Sequence, residues 1–430
     1  MKLSQWRQLA VVSVASLLAA SLLTACSQFT QTLTVDFVYV TSAKAAGANN
    51  YGEIDVFEIN SESGRMRQIP TSPFPSEGRN PVAEAVSADS SSLFVVNRDD
   101  NTIVQFIIGS DGKLYPFNTV NTPGFFPLAI AADNSNVFVV TTYEPLPVCS
   151  AAEPCSGSIS VFPLTTGSQN ATSGCLASVC LSSPAVNPAV NGQYWPLTLS
   201  GANSGDVIVP TAVNVLGSGA YVYVTAYDSS VSPSVGYVFG FSVGSGGVLT
   251  PVNGSPFGPT GVQPSAIASD PASTYVYVTD FARNNVQGFK VGSSSGGLTA
   301  LGGSPFPAGN QPSAIVVNPN PTYPFVYVAN SLDGTVEAYS ISNGNLGFVG
   351  NSTTPVLYPT GLQPVAIGID PSTNRFLYTA NFLGNTVSGW ELNAGAGTLL
   401  DSQYSPFTSN ANPTALAAVP HNGTGGGVQP

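Results

Sequence analysis

Asp280, Arg98 and Arg283 are the side chains whose types could polarise a substrate, and each falls just after an aromatic or valine-rich run. A carboxylate with one or two guanidinium groups can orient and activate a carbonyl or a water, the equipment of a hydrolase. A second set is neutral: Asn80, Gln263, Gln311, Gln363 and Asn412 precede short apolar runs, while Asn97, Asn330 and Asn381 end others. Amides gathered at the mouth of a pocket would hold a neutral or sugar-like ligand. The same amides can instead cap strand ends and satisfy backbone groups, and their recurrence at one point of a repeat favours that role. The turn Asp99-Asp100 offers oxygen ligands to a hard cation such as Ca²⁺. No other cofactor and no other metal site is indicated. There is no Gly-x-Ser-x-Gly elbow, no Gly-Lys phosphate loop and no His-Glu-x-x-His. The single histidine is His421, close to the end of the chain.

What must position these residues is a repeat. Pro-x-Ala opens a short apolar run at Pro81, Pro127, Pro210, Pro264, Pro312, Pro364 and Pro413. Partner strands begin at Phe37, Leu93, Val137, Tyr221, Tyr275, Phe325 and Phe376. One unit reads as four strands: Pro264-Ser-Ala-Ile, Tyr275-Val-Tyr-Val-Thr, Asn285-Val-Gln-Gly-Phe and Leu298-Thr-Ala-Leu, separated by Asp-Pro and Gly/Ser turns. The second of these is apolar on both faces, as a strand covered on both sides must be. A repeat of roughly fifty residues made only of strands and turns predicts an all-β, seven-bladed β-propeller of four-stranded blades. The chain enters at a second-type strand and leaves after a first-type strand, so one blade is completed by both termini, which hides the ring's edges. With strands alternating in direction, the loop before Pro-x-Ala and the loop after the partner strand share one end of the ring. The candidate residues above therefore form a rim.

The ends and the cysteines carry separate information. Lys2 and Arg7 precede an apolar stretch from Leu9 to Leu23, then Leu23-Thr24-Ala25-Cys26. This is the layout of a secretory signal peptide over residues 1–25, too short for a membrane span. Its last four residues look like a bacterial lipobox, with Cys26 as the lipidation site and residues 26–36 as a linker. The expected location is the cell envelope, on the periplasmic or cell-surface side, anchored to the membrane through Cys26. The propeller spans 37–419 and 420–430 reads as a flexible tail. The step from Pro127 to Pro210 exceeds the others by about thirty residues, an insertion at about 148–194 that holds Cys149, Cys155, Cys175 and Cys180. An even number of cysteines in an exported chain points to disulfides, 149–155 and 175–180 being the simplest pairing; a zinc site is the alternative, without a nearby histidine to support it.

The formal charge of −12 on 430 residues excludes nucleic acid as a partner, because that binding depends on neutralising phosphates. Removal of the leader takes Lys2 and Arg7 and no acid, which makes the chain more negative still. A glycan, a small molecule or a protein remains as the ligand class for a monomeric ring.

The repeats resemble the lactonase-type seven-bladed propellers, the family that includes the 6-phosphogluconolactonases, and related exported propellers named for a Tyr-Val-Thr-Asn (YVTN) repeat. The residues that carry the resemblance are Pro264-Ser-Ala-Ile with Tyr275-Val-Tyr-Val-Thr-Asp, Pro312-Ser-Ala-Ile with Phe325-Val-Tyr-Val-Ala-Asn, and Pro364-Val-Ala-Ile with Phe376-Leu-Tyr-Thr-Ala-Asn. The resemblance implies the fold over nearly the whole of Phe37 to Val419, and a lactone hydrolase activity served by histidine, arginine and carboxylate groups in a central pocket. Two functional classes follow: an envelope-anchored binding or scaffold module with a polar rim, favoured by the missing pocket histidine, and a lactone hydrolase acting on an extracytoplasmic lactone or sugar derivative.

Overall fold

A computed structural model describes residues 34–150, 152–166, 177–199, 205–351 and 353–421. The expected signal peptide, Cys26, Cys175 and residues 422–430 lie outside the described residues. Seven antiparallel sheets follow one another around a ring. In blades 2 to 7 the inner strands are Pro81–Val86, Phe125–Ala132, Ile208–Val215, Pro264–Ser269, Pro312–Val317 and Pro364–Ile369. Each pairs with the strand that follows it in the chain. Blade 1 takes its inner strand from the C-terminus: Pro413–Pro420 pairs with Thr34–Ala46, Phe37 opposite Val419 and Thr41 opposite Ala415. The ring is therefore closed by both termini, as the repeat predicts. No α-helix occurs among the described residues, and no helix there is long and apolar enough to cross a membrane.

The Pro-x-Ala motif has a physical explanation. The inner strand is bonded on one side only and its other edge faces the ring axis, so a residue with no N–H is tolerated at its start. In each of the seven blades the pairing slips by one residue between the proline and the alanine. This bulge leaves x unpaired in the ladder. At three of the four positions where x carries a hydroxyl it ties neighbouring blades: Ser265 Oγ donates to the Pro312 carbonyl at 2.6 Å, Ser313 Oγ to Pro364 at 2.6 Å, and Thr414 Oγ1 to Pro81 at 2.9 Å, while Thr211 Oγ1 bonds Thr225 of its own blade.

The second strands are the best buried segments. Val38, Tyr39, Val40, Val276, Tyr277, Val278, Leu377 and Tyr378 are all fully inaccessible, because both faces press on adjacent blades. In register, the second strands of blades 2 and 3 begin one residue earlier than the apolar pattern indicates, at Ser92 and Asn136. The outer strand is often split: Met66–Gln68 and Phe74–Pro75 both pair with Tyr51–Asn60, and Leu298–Ala300 and Phe306–Pro307 both pair with Asn285–Val291. The interruption carries Ser-Pro-Phe, whose serine hydroxyl accepts a third-strand amide: Val56 N to Ser72, Gly240 N to Ser255, Gly288 N to Ser304 and Gly389 N to Ser405.

The insertion divides between the two ends of blade 3. The loop between Asn136–Tyr143 and Ser158–Thr166 sits on the rim and holds the Cys149–Cys155 disulfide. Cys180 is also disulfide-bonded. The chain after it returns along the blade's outer side, where Trp195 Nε1 donates to the Leu249 carbonyl at 2.9 Å. His421, read from sequence as part of a loose tail, instead packs its ring 5.2 Å from that of Phe37, and its amide bonds the Val35 carbonyl.

Candidate functional site

One end of the ring collects the residues the repeat assigns to it. At five of the seven prolines the preceding residue accepts a bond from an amide near the end of the second strand: Arg98 N to Asn80 O, Phe281 N to Gln263 O, Ser331 N to Gln311 O, Phe382 N to Gln363 O and Ala43 N to Asn412 O, all within 2.8–3.0 Å. Asn80, Gln311, Gln363 and Asn412 take left-handed backbone angles, φ 52° to 60°, a conformation in which Asn is better tolerated than most residues. Phe126 does the same in blade 3, at φ 54°. These five half-buried residues recur because the chain must turn sharply into an edge strand. Gln263 keeps the position without the left-handed angle.

The second set lies deeper. Asn97, Asp280, Asn330 and Asn381 each stand opposite the first proline of their blade, and all four are fully buried. The amides turn towards the third strand: Asn97 Nδ2 lies 3.5 Å from Thr102 Oγ1, Asn330 Nδ2 3.4 Å from Thr335 Oγ1, and Asn381 Nδ2 3.1 Å from Thr386 Oγ1. Asn97 Oδ1 and Asn330 Oδ1 are buried without a hydrogen-bond partner.

Asp280 uses its charge within the fold. Oδ2 accepts from Val262 N at 2.6 Å, and Oδ1 accepts from Gln263 N, Ala282 N and Arg283 N, each at 3.1 Å. The carboxylate thus clamps the loop entering blade 5 to the turn leaving its second strand. Gly261 makes room for it: its φ is +100°, and a Cβ there would overlap the carboxylate.

The two arginines do not join Asp280. Arg98 lies over the Phe126 ring, 5.2 Å from its centroid, and 3.9 Å from Asp99 Oδ1. Arg283 is exposed in the blade 5 turn. The Asp99-Asp100 turn faces an arginine of its own, since Arg79 binds Asp100 through its side chain and its amide. Partial burial pushes the Asp100 carboxyl up, but the bonds and charge of Arg79 outweigh it and hold the group below its usual range. Among the described residues no group of three His, Cys, Asp or Glu side chains is gathered as metal ligands would be.

The structure adds two acids that sequence reasoning missed. Glu144 opens the disulfide-bearing rim loop, where burial pushes its carboxyl up to about 7. Its charge, after burial, helps raise the neighbouring Tyr194 hydroxyl. Glu84 lies on the inner strand of blade 2, where the other blades carry Ile130, Val213, Ile267, Ile315, Ile367 and Leu416. That one polar residue in an apolar column was the available signal. Its carboxyl is wedged against blade 1, accepting from Thr41 Oγ1 and the Ala417 amide, while Oε1 is sealed without a partner. Burial pushes Glu84 up to about 8. On the other side of blade 1, burial raises Asp36 to about 7 against its bonds to Ser372, with Asp370 adding to the rise.

Both closing junctions of the ring therefore hold carboxyls that are protonated more readily when folded than when unfolded. Such groups contribute stability that is complete below the unfolded pKa and is lost as pH rises through the folded one. Thermal unfolding is expected to show the wild type losing stability between pH 5 and 9. Glu84→Ile, the sibling blades' residue, should flatten much of that slope and be worth up to about 4 kcal/mol at pH 9, at about 1.4 kcal/mol per pH unit. Equal slopes in the two proteins would show that Glu84 is not the titrating group.

Among the described residues, seven of the thirteen exposed large apolar side chains lie at the rim. Phe125, Leu146, Val148, Val231, Leu332, Leu362 and Leu383, 39–68% exposed, stand at the start of an inner strand or in a loop entering an inner strand or leaving a second strand. The other six, among them Leu400 and Tyr404, lie elsewhere. The arrangement can bind through apolar contact and neutral amides; Asp280 is buried against backbone amides of its own blade, while Arg98 lies over Phe126 and Arg283 is exposed.

Residues 37–177 match the family model described as "Lactonase, 7-bladed beta-propeller". No curated protein matches the chain. Among solved structures, the periplasmic gluconolactonase of Pseudomonas aeruginosa superposes with TM-score 0.64 at 18% identity, over 90% of this chain and 99% of that one. A candidate 6-phosphogluconolactonase of Bacteroides fragilis gives the same TM-score, identity and coverage. Another from Bacteroides uniformis gives 0.65 at 18% identity, over 90% and 100%. At such identities the likeness is one of fold. The chain is a seven-bladed β-propeller of lactonase-like fold, similar to the lactonase family model over residues 37–177 and, in fold alone, to these solved propellers over nine-tenths of its length.

Proposed function

We propose that this protein is an extracytoplasmic binding propeller, held at the envelope by lipid on Cys26, that engages a glycan or protein through its rim. The observation that carries the reading is the placement of exposed apolar side chains from Phe125 round to Leu383 on that one face. Exposed apolar groups set among polar ones mark interaction surfaces on soluble proteins. The geometry of the tether agrees: Thr34 starts its strand at the end of the ring opposite the rim, so an anchor there leaves the rim facing away from the membrane. The Cys149–Cys155 disulfide suits an oxidising compartment, as does the likeness to a periplasmic protein. Asp280 supports the same reading, since both its oxygens serve backbone amides.

A lactone hydrolase is the second reading, favoured by the family match and by Glu144, a rim carboxyl raised towards neutrality as a general base would be. Lactone hydrolysis separates the two. The full chain is expected to give no enzymatic turnover of glucono-δ-lactone, with or without Ca²⁺. Saturable turnover that disappears in Glu144→Gln would replace the binding reading with the enzymatic one. The binding reading also requires that Leu332→Ser/Leu362→Ser/Leu383→Ser weaken retention on isolated envelope material at least tenfold; unchanged retention would count against it.

A further inference from the structure

One sector of the rim differs from the rest. In five blades the residue opposite the first proline is Ser42, Asn97, Asp280, Asn330 or Asn381. Two residues further on, at the tip of the rim turn, stand Lys44, Asp99, Ala282, Leu332 and Leu383 in blades 1, 2, 5, 6 and 7. Asp99 and Ala282 show that the turn itself needs no large apolar group there. Yet Leu332 and Leu383 are 66% and 58% exposed, and Leu362, in the loop between them, is 68% exposed.

The three leucines lie side by side. Thr360 N donates to the Gly334 carbonyl at 2.8 Å and Gly384 N to the Leu362 carbonyl at 3.0 Å, which joins the blade 6 turn to the loop and the loop to the blade 7 turn. On the other side of blade 7, Asn412 donates its amide to Asn385 Oδ1 and accepts Ala43 N, bringing the Lys44 turn alongside. A row therefore crosses blades 6, 7 and 1, with Asp333 at one end, leucines in the middle and Lys44 at the other end. Asp333 and Lys44 are both exposed, and among the described residues neither forms an ion pair.

Two features narrow what the row can meet. Internal bonds hold the amides beside it: Asn310 to Asp333 and Asn284, and Asn412 to Asn385 and the Phe382 carbonyl. A hydroxylated ligand would find methyl groups where it needs hydrogen-bond partners. The second feature is the order of the charges. The three tips hold equivalent positions in consecutive blades, so those of blades 1 and 6 flank that of blade 7 evenly. A two-fold axis through Leu383 exchanges the flanks, which sets Lys44 of each copy against Leu332 and Asp333 of the other.

We propose that this row docks a second copy of the chain, forming a rim-to-rim dimer about that axis. The proposal rests on the reading of the rim as an interaction surface and names its partner. Leucine meets leucine at the centre, the Lys44 methylenes cover Leu332, and the ammonium reaches Asp333. Every contact occurs twice, as a two-fold interface requires. The longer rim loops belong to blades 3 and 4, across the ring from blade 7, so the two rings meet at an angle. Thr34 starts its strand at the opposite end, and the two chains' N-terminal segments leave the pair on its outer sides.

Sedimentation velocity of the full chain from about 1 to 300 μM tests the pairing. So small a contact belongs at the weak end of specific interfaces, and the expected Kd is about 10–100 μM. Lys44→Asp and Asp333→Lys should each weaken association about tenfold, because each reversal acts at two contacts. An equimolar mixture of the two variants should associate as tightly as the wild type. Leu383→Asp, on the axis, should remove association. All three side chains are exposed, and blade 2 carries an aspartate at this tip, so the variants should fold. Absence of a dimer at about 300 μM, charge variants that associate as the wild type does, or a mixture no tighter than its components would each overturn the proposal. Retention on envelope material reads the rim separately. If Leu332→Ser/Leu362→Ser/Leu383→Ser lowers retention while the wild type stays monomeric, the second copy is overturned as partner and the rim reading stands.

Discussion

A chain ending at Asn412 is expected to lose its cooperative unfolding transition and its near-ultraviolet circular dichroism, and to elute as aggregate rather than monomer. The deletion removes Pro413–Pro420, the inner strand of blade 1. That strand pairs with Asp36 to Ser42 and stands between the inner strands of blades 2 and 7. Its loss uncovers one edge of a strand containing Val38, Tyr39 and Val40, all fully buried in the closed ring, and leaves Glu84 and Thr41 in an open seam. Side chains of this size contribute about 1.5–3 kcal/mol each when buried, and an entire domain is stable by only about 5–15 kcal/mol. An unpaired apolar edge also templates association. A chain ending at His421 keeps the strand and should melt within about 2 °C of the full chain, since changes away from buried contacts are usually small. Cooperative, monomeric unfolding of the shorter chain would mean that the two termini do not close the ring.

The second large effect belongs to Asp280. Replacement by alanine leaves three backbone N–H groups, at Val262, Gln263 and Ala282, without their acceptor, while Arg283 N keeps the Asp280 carbonyl at 3.3 Å. A buried donor left unpaired costs about 1–3 kcal/mol. Ala282 and Arg283 lie on an exposed turn and the loop at Gly261 to Gln263 is half-buried, so water offsets part of the loss, which should be about 2–4 kcal/mol. Asp280→Asn keeps one acceptor oxygen and installs the residue that blades 2, 6 and 7 carry at this position as Asn97, Asn330 and Asn381; it should cost about 1 kcal/mol. Urea unfolding reads both, as a large drop in midpoint for alanine and a small one for asparagine. An alanine variant with an unchanged midpoint would show that the carboxylate does not clamp the loop, and would return it to the list of catalytic candidates.

Much of the fold is legible because the repeat states each requirement several times. A proline can open a strand only where an N–H is dispensable, so Pro-x-Ala marks an edge, and seven edges around one axis make the inner wall of a ring. A strand such as Tyr275-Val-Tyr-Val, apolar on both faces, must lie between two layers. The unmatched first and last strands can satisfy each other only by closing a blade. The rim follows from strand direction alone, and the bonds from Arg98 N to Asn80 O and its four counterparts confirm which loops meet there. The six-residue spacing of Cys149 and Cys155 is likewise enough to bring them together in one loop.

The chemistry was harder to read, because the direction a strand-end side chain takes is set by the three-dimensional course of the loops beside it. Asp280 and Asn381 look like rim groups, yet Asp280 turns to the amides of Val262 and Gln263 and Asn381 to Thr386, all within their own repeats. Glu84 is anomalous in its column, yet only the pairing of the C-terminal strand with Thr34–Ala46 places Thr41 and Ala417 around its carboxyl. Asn136 is an ordinary turn residue in its own repeat. Its contact with Gly247, one blade on, exists only in the fold. Sequence by itself determined the β class, the seven repeats, the closure of the ring and the identity of its rim, since each depends on period, strand alternation or turn chemistry within a single repeat. Tertiary structure alone decided which acids are sealed between blades, because that outcome depends on packing between repeats, where one blade's side chains meet the next blade's backbone, as Glu84 meets Thr41 and Ala417.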